Sequence, residues 1–200
     1  MGYDAAEAPK QYGFAQWLLH NWSRAGLVVA VLLLALAPLI ARTGDHTTLL
    51  VYLWLPVYML HQYEEHSSGK FLAFYKKKMP GIAPALTERK LLVINLGAVW
   101  LLFLMAIYAA RFGYLGLALY APYLSVINAA IHVGQLIAWR SYNPGLWTAV
   151  LLFFPGGVYT IHALSAAGAT NSSNLLGFGL GLLIHLFLFT VGKGWIAARL

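Results

Sequence analysis

The chain has 200 residues, of which 13 are lysine or arginine and 6 are aspartate or glutamate, giving a formal net charge of +7. Hydrophobic residues make up 60% of it and charged residues only 10%, whereas soluble domains are about one quarter charged. A soluble domain of this length could not bury so many apolar side chains. The composition therefore predicts a polytopic membrane protein and excludes disordered, collagenous and nucleic-acid-binding proteins. The sequence has no cysteine, which excludes disulfides and thiolate chemistry.

The N-terminal 24 residues differ from a secretory signal because they carry charges and lack a short apolar core before a small-residue cleavage site. Four apolar residues recur there at helical spacing, opposite polar ones: Phe14, Trp17, Leu18 and Trp22. This pattern predicts a short amphipathic helix in an N-terminal interfacial segment, residues 1–24, that anchors the chain at the membrane surface.

Six apolar stretches follow, and a helix needs roughly 20 such residues to cross a membrane. They cover residues 25–41, 49–65, 91–110, 114–139, 146–166 and 175–192. We therefore predict an all-α fold, a polytopic membrane bundle of six transmembrane helices that forms one domain over residues 25–200. Cytoplasmic loops of membrane proteins are enriched in lysine and arginine. An orientation with both termini in the cytoplasm leaves only Arg42 and Arg111 on the outer side.

The second stretch ends in an imidazole followed by two carboxylates. At about 100° per residue, His61, Glu64 and Glu65 fall within one third of the helix circumference, while His66 points beyond them. Ionisable groups at membrane depth cost roughly 3 kcal/mol each, so their presence needs a reason. Imidazole nitrogen and carboxylate oxygen suit Zn, Fe or Mn. The pattern predicts a site for a cation or a proton; the alternative is that both glutamates are solvated at the membrane edge.

The fourth stretch carries a polar stripe formed by Ser125, Asn128, His132 and Gln135, which share one helix face. Such a stripe must face other helices or a cavity, because its polar groups need partners within lipid. Interhelical hydrogen bonding is sufficient to account for Ser125 and Gln135. For Asn128 and His132, a functional role and a structural role are both open.

Depth in the membrane predicts that these groups converge. His132 and His185 each lie eight residues before a basic residue assigned to the cytoplasmic side, roughly 12 Å inward at 1.5 Å per residue. In the sixth stretch Gly177 and Gly181 precede His185 at helical spacing, which lets a neighbouring helix approach closely. We therefore predict five metal ligands in the cytoplasmic half of the bundle: His61, Glu64, Glu65, His132 and His185. Substrate contacts are predicted at Asn95, Asn128 and Tyr159.

The string His61-Gln62-Tyr63-Glu64-Glu65 resembles the signature of the HXXEE domain family of small bacterial integral membrane proteins. The Tyr142-Asn143-Pro144-Gly145 turn followed by Thr148, with Asn128 and His132 upstream, is similar to the second half of that family. The resemblance extends from the second to the sixth stretch and implies the bacterial cytoplasmic (inner) membrane as the location. It supports the choice of site without supplying a reaction.

The leading hypothesis is a metal-dependent membrane enzyme, a hydrolase or an oxidoreductase, with a divalent Zn or Fe ion of unknown identity. The candidate catalytic residues are His61, Glu64 and Glu65, and whichever glutamate is not a ligand could act as general base. The partners are then membrane lipid and a lipophilic substrate that enters from the cytoplasmic leaflet, with no nucleic acid. The alternatives are a metal-free isomerase of a sterol-like or isoprenoid-like substrate, a small proton-coupled carrier, and a purely structural role.

Overall fold

The computed structural model describes residues 13–81 and 86–192, and every regular element in this part of the chain is helical. A 3-10 turn, Ser67–Gly69, joins the second helix to the third. The helices are α1 Phe14–Thr43, α2 His46–His66, α3 Lys70–Lys78, α4 Glu88–Arg111, α5 Leu115–Trp139, α6 Leu146–Ala166 and α7 Asn171–Gly192. The all-α prediction is confirmed.

Five of the described helices are long and apolar enough to cross a membrane, namely α1, α4, α5, α6 and α7. Helix α2 covers the predicted stretch 49–65 but is not among them, since its last turns carry histidine and glutamate. The count of six spans therefore stays a prediction, as does the cytoplasmic placement of both termini. Three of the basic residues that support this orientation, Lys10, Lys193 and Arg199, lie outside the described residues.

The N-terminal segment is not a separate amphipathic helix where the structure describes it. Helix α1 runs without a break from Phe14 to Thr43, so residues 14–24 continue directly into the first predicted span. Trp22 is buried, and its ring centroid lies 4.9 Å from that of His66. The aromatic face predicted to anchor the chain at the surface thus contributes a packing contact with the end of α2. Residues 1–12 of the predicted segment lie outside the described residues.

Helix α2 lies at the centre of the bundle, where it packs against α1, α4, α5 and α6. It begins after Asp45, whose side chain accepts a hydrogen bond of 2.7 Å from the backbone N–H of Thr48 and so caps the helix. Near its middle the indole of Trp54 donates to the hydroxyl of Thr160 on α6 over 3.2 Å. This central position brings the last turn of α2 close to several other helices.

Helix α7 lies at the edge of the bundle and packs on α5. A Cβ atom added at Gly177 would lie 2.6 Å from the Cβ of Leu119, and one at Gly181 would lie 3.1 Å from the backbone nitrogen of Leu124. The predicted role of the two glycines in close helix approach is confirmed. Their contact with α5 brings the inner face of α7 towards the polar stripe of that helix.

Candidate metal centre

Two histidines and one glutamate from α2 and α5 lie close together inside the bundle. His61 Nε2 lies 3.7 Å from one carboxylate oxygen of Glu65, and His132 Nε2 lies 3.8 Å from the other. The three candidate ligand atoms all lie within 4.8 Å of one another. Both imidazoles are buried. Residues on one turn of α2 and a residue on α5 therefore form one compact group, as the sequence predicts for these three positions.

The proton on His61 is fixed by a neighbour on α6. Nδ1 of His61 lies 2.8 Å from the hydroxyl oxygen of Thr148, and that hydroxyl lies 2.6 Å from a carboxylate oxygen of Glu64. The carboxylate can only accept, so the single Thr148 proton goes to Glu64 and the hydroxyl oxygen accepts from His61 Nδ1–H. The other ring nitrogen, Nε2, is then an acceptor. It is buried and has no hydrogen-bond partner.

The proton on His132 is fixed by Asn143 in the turn before α6. The amide nitrogen of Asn143 donates to the backbone carbonyl of His132 over 2.9 Å, which directs the amide oxygen towards His132 Nδ1, in hydrogen-bonding contact. That oxygen can only accept, so the proton is assigned to Nδ1, and Nε2 has a free lone pair. Metal-binding histidines usually have this arrangement, in which a second partner holds the ring and its tautomer.

Three acceptor groups thus face one another without a proton between them. The two Nε2 atoms lie 3.7 and 3.8 Å from the carboxylate oxygens of Glu65, and these distances exceed those of hydrogen bonds. Buried acceptors that converge in this way need either a shared cation or additional protons. Two imidazole nitrogens and one carboxylate form a donor set that suits Zn or Fe.

His66 contributes to the group, although the helical spacing predicts that it points away. Its Nε2 lies 3.1 Å from Oε2 of Glu65, within hydrogen-bonding distance. Packing explains the difference, because Trp22 from α1 and Phe71 from α3 hold the His66 ring at centroid distances of 4.9 and 4.7 Å. His66 therefore orients the carboxylate of Glu65 from outside the group of three.

A tight turn before α6 encloses the two imidazoles. Gly145 has a φ of +96°, a conformation that other residues seldom adopt. A Cβ atom at this position would lie 2.7 Å from Cε1 of His61 and 2.8 Å from Cε1 of His132. The backbone of Gly145 therefore packs directly against both rings. Only glycine satisfies the turn and the close approach together.

Glu64 has a different environment from its neighbour Glu65. One of its oxygens accepts from the hydroxyl of Tyr142 and the backbone N–H of Trp147, at 2.8 and 3.1 Å. The other accepts from the backbone N–H and the hydroxyl of Thr148, at 2.7 and 2.6 Å. Burial, together with the hydrogen bond to Glu64, raises the pKa of Tyr142 to about 12, so this phenol remains a donor. Glu64 caps the N-terminus of α6 and lies outside the group of three.

A cavity of about 610 Å³ opens beside Glu65 and His132. It lies between α5 and α7, with α3 at one end, and most of its lining is apolar. Asn128, predicted as a substrate contact, lines this cavity, and so does His185. His185 was predicted as a metal ligand, but it is not in the group of three ligand atoms. Nδ1 of His185 lies 2.9 Å from the carbonyl of Gly181, so the proton is on Nδ1 and Nε2 is the acceptor.

Two predicted substrate contacts lie apart from this cavity. The side chain of Asn95 is buried between α2 and α4, where its oxygen accepts from Gln62 over 2.7 Å and its nitrogen donates to the carbonyl of Leu91 over 2.8 Å. Its hydrogen bonds are used in helix packing, within a π-helical segment, Val93–Val99, of α4. Tyr159 is exposed on α6 and does not line the cavity.

Sequence reasoning missed three contributors to the group: the orienting roles of His66, Asn143 and Thr148. No spacing rule connects α2 with a turn some eighty residues later, although the turn itself could be recognised as Asn143-Pro144-Gly145. The signal available for Thr148 was its position directly after that turn. Its hydroxyl is required at the start of α6, where it faces both His61 and Glu64.

The sequence model for proteins of unknown function with an HXXEE motif matches residues 52–160, which is more than half of the chain. The chain belongs to this HXXEE family. The match confirms the resemblance and includes His61, Glu65 and His132, the turn at Gly145 and the start of α6, but it ends before His185. In the HXXEE motif of this chain, the histidine and the second glutamate join the candidate centre, and the first glutamate caps α6. Comparison with curated proteins and with solved structures found no match.

Proposed function

We propose that this HXXEE protein is a metal-dependent integral membrane enzyme that acts on a lipophilic substrate. His61, Glu65 and His132 would hold one divalent ion, Zn or Fe. A single observation carries the proposal: three buried acceptor groups converge with their ligand atoms within 4.8 Å, and neither imidazole has a proton to offer the carboxylate. A bound cation would compensate the three acceptors without protonation of the buried rings.

The number of ligands favours catalysis over a structural role for the ion. Structural zinc sites are normally closed by four protein ligands, while catalytic sites keep three and leave a position open. A two-histidine, one-carboxylate set is used both by zinc hydrolases and by non-haem iron oxygenases. Bound there, the metal would supply an activated water or an oxygen-binding position.

The cavity supplies the substrate side of the proposal. It reaches Glu65 and His132, so a lipophilic molecule in it would place one end next to the open metal position. Nε2 of His185, on the α7 side, is oriented as a proton acceptor by the Gly181 carbonyl. We assign His185 to proton transfer with the substrate and Asn128 to its orientation. Glu64 has four donors around its carboxylate and serves to position α6.

The five apolar helices support a membrane location, which we propose to be the bacterial cytoplasmic membrane, with the site in its cytoplasmic half. The cavity lies between two of these five helices, α5 and α7. A substrate would therefore reach the metal laterally, from the lipid phase.

Metal analysis of the purified full chain tests this function. Wild type, prepared without chelators, is compared with His61→Ala, Glu65→Gln and His132→Ala, and with His162→Ala as a matched control on the exposed face of α6. We expect about one tightly bound Zn or Fe per chain in wild type and control, and loss of it in the other three. Equal metal content in all five proteins would overturn the proposal and favour the metal-free isomerase.

A further inference from the structure

The polar groups of the cavity indicate what kind of molecule it accepts. Among the described residues, Glu65 is the only acidic side chain that lines it, and no lysine or arginine does. A phosphate, sulfate or carboxylate head group in a low-dielectric site needs a cationic partner. The part of the lining that the structure describes therefore offers no lysine or arginine to compensate an anionic lipid, and the proposed metal is the remaining candidate.

The net charge of the proposed centre argues against the metal as the partner of an anionic head group during hydrolysis. Of the two positive charges of a divalent ion held by His61, Glu65 and His132, the carboxylate of Glu65 would cancel one, and a water that gave up its proton there would cancel the other. A substrate beside that centre would then meet no net positive charge. This step rests on the proposed function.

The uncharged polar groups of the cavity can recognise hydrogen-bond donors. The side-chain oxygens of Asn128 and Gln135 are buried and have no hydrogen-bond partner among the described residues, and both residues line the cavity. The amide nitrogen of Gln135 is already used, since it donates to the hydroxyl of Tyr75 over 2.7 Å. Nε2 of His185 is a further acceptor. Unpaired buried acceptors favour a ligand with O–H or N–H groups.

We infer that the substrate is a neutral lipid with a hydroxyl or amide group near its reacting end, and not an anionic lipid. Its hydrocarbon part lies along the apolar wall between α5 and α7. Its donor groups pair with Asn128 and Gln135 beside Glu65 and His132. The cavity of about 610 Å³ has room for a large part of a lipid chain.

Trp139 lines the cavity and provides a direct readout of occupancy. The full chain is reconstituted in phosphatidylcholine nanodiscs with dibrominated stearyl alcohol, stearamide or stearyl sulfate at equal mole fraction. Bromine quenches indole fluorescence on contact, and the difference between wild type and Trp139→Phe isolates the signal of this tryptophan. Each lipid is tested with zinc-loaded and with chelator-treated protein.

We expect the alcohol and the amide to quench Trp139 at several-fold lower mole fraction than the sulfate. Asn128→Leu should weaken the alcohol about fivefold, the effect of one neutral hydrogen bond, and leave the sulfate unchanged. Gln135→Lys should shift the preference towards the sulfate, because it supplies the missing cation. Gln135→Leu is a second test of the acceptor role should the lysine variant not fold.

Equal quenching by the three lipids, stronger quenching by the sulfate, or no quenching of Trp139 by any of them would overturn the inference. The proposed function fails separately, if zinc content does not depend on His61. In that case the preference measured with chelator-treated protein still decides which lipid the cavity accepts. The two failures are therefore distinguishable.

Discussion

Glu64 accepts two hydrogen bonds from a single residue, Thr148, which lies 84 positions later in the chain and donates both its backbone N–H and its hydroxyl proton. The same hydroxyl oxygen accepts from His61. One glutamate of the HXXEE motif thus fixes the start of α6, and through Thr148 it fixes the ring of the motif histidine. The cap and the candidate centre are connected by a single oxygen atom.

Replacing Glu64 with alanine should mainly reduce stability. Loss of four hydrogen bonds to a carboxylate at a helix N-terminus is expected to lower the free energy of unfolding by about 2–3 kcal/mol. Glu64→Gln keeps one acceptor oxygen and should lose less. Chemical unfolding in detergent measures both variants. An Ala variant that is as stable as wild type but devoid of metal would instead make Glu64 a ligand, as the sequence predicts.

Gly145→Ala should disrupt the candidate centre, because the added methyl would overlap both imidazole rings. Gly168→Ala is a matched control, since Gly168 also has positive φ, +109°, but has no atom within 4 Å of the added methyl. The control should lose about 1 kcal/mol of stability from backbone strain and keep its metal. Gly145→Ala should lose more stability and most of its metal. Metal content that is equal in the two variants would contradict the packing described for Gly145.

Thr148→Val removes the acceptor that holds His61 Nδ1 and the hydroxyl donor to Glu64. Loss of a group that hydrogen-bonds to a ligand histidine and orients its ring typically lowers metal affinity about 10–100-fold. We expect that range in a competition titration against a chromophoric chelator, with metal binding weakened and not abolished. Thr148→Ser restores the hydroxyl and should recover most of the affinity. Unchanged affinity in the valine variant would show that the ring orientation does not depend on this hydroxyl.

His185→Ala should keep its metal, in contrast to His132→Ala. The His185 ring lines the cavity but stands outside the group of three ligand atoms. The measurement is the metal content of both variants after identical purification, with the fold checked by circular dichroism. If His185→Ala loses metal to the same degree as His132→Ala, the ligand role predicted for His185 from the sequence is correct and the proton-transfer assignment fails.

Asp45→Ala should destabilise α2 by about 1 kcal/mol, the usual cost of losing an N-cap. Hydrogen bonds from Thr47 and Thr48 lower the pKa of Asp45 from 3.8 to about 2. Because the pKa is lower in the folded state, the ionised cap contributes its full stabilisation at pH values above the pKa of Asp45 in the unfolded chain. This stabilisation is lost as the pH falls through about 2. The difference in melting temperature between wild type and Asp45→Ala should therefore be constant at any pH above about 5. A difference in melting temperature that varies between neutral pH and about pH 5 would contradict this assignment. Asp45→Asn keeps an acceptor and should be destabilised less.

The helices could be predicted from the sequence because each depends on local hydropathy and length. The stretch 146–166 coincides with α6, and 114–139 differs from α5 by one residue. The boundary at residue 24 could not be predicted, because whether Trp22 meets lipid or His66 depends on where α2 ends in space. Local patterns specify helices and leave their contacts open.

The candidate site was predicted in part for the same reason. Helical spacing joined His61 with Glu65, and depth in the membrane added His132, and the structure brings all three together. Spacing could not separate Glu64 from Glu65. The two carboxylates differ only in which neighbour each meets, and the start of α6 beside Glu64 is set by tertiary packing. Asn95 lies five residues after Lys90 and is therefore predicted at a similar depth, yet it pairs with Gln62 in a helix contact.

The contact of Gly145 with both imidazoles has a consequence for how an ion would be exchanged. Because the backbone of this turn packs against both rings, we expect the rings to stay in place if an ion binds. Little free energy would then be needed to assemble the pocket when an ion binds. Binding of the ion to the folded state alone would raise the free energy of unfolding. Uptake and release would follow the access route past Glu65, with the backbone unchanged between the two states.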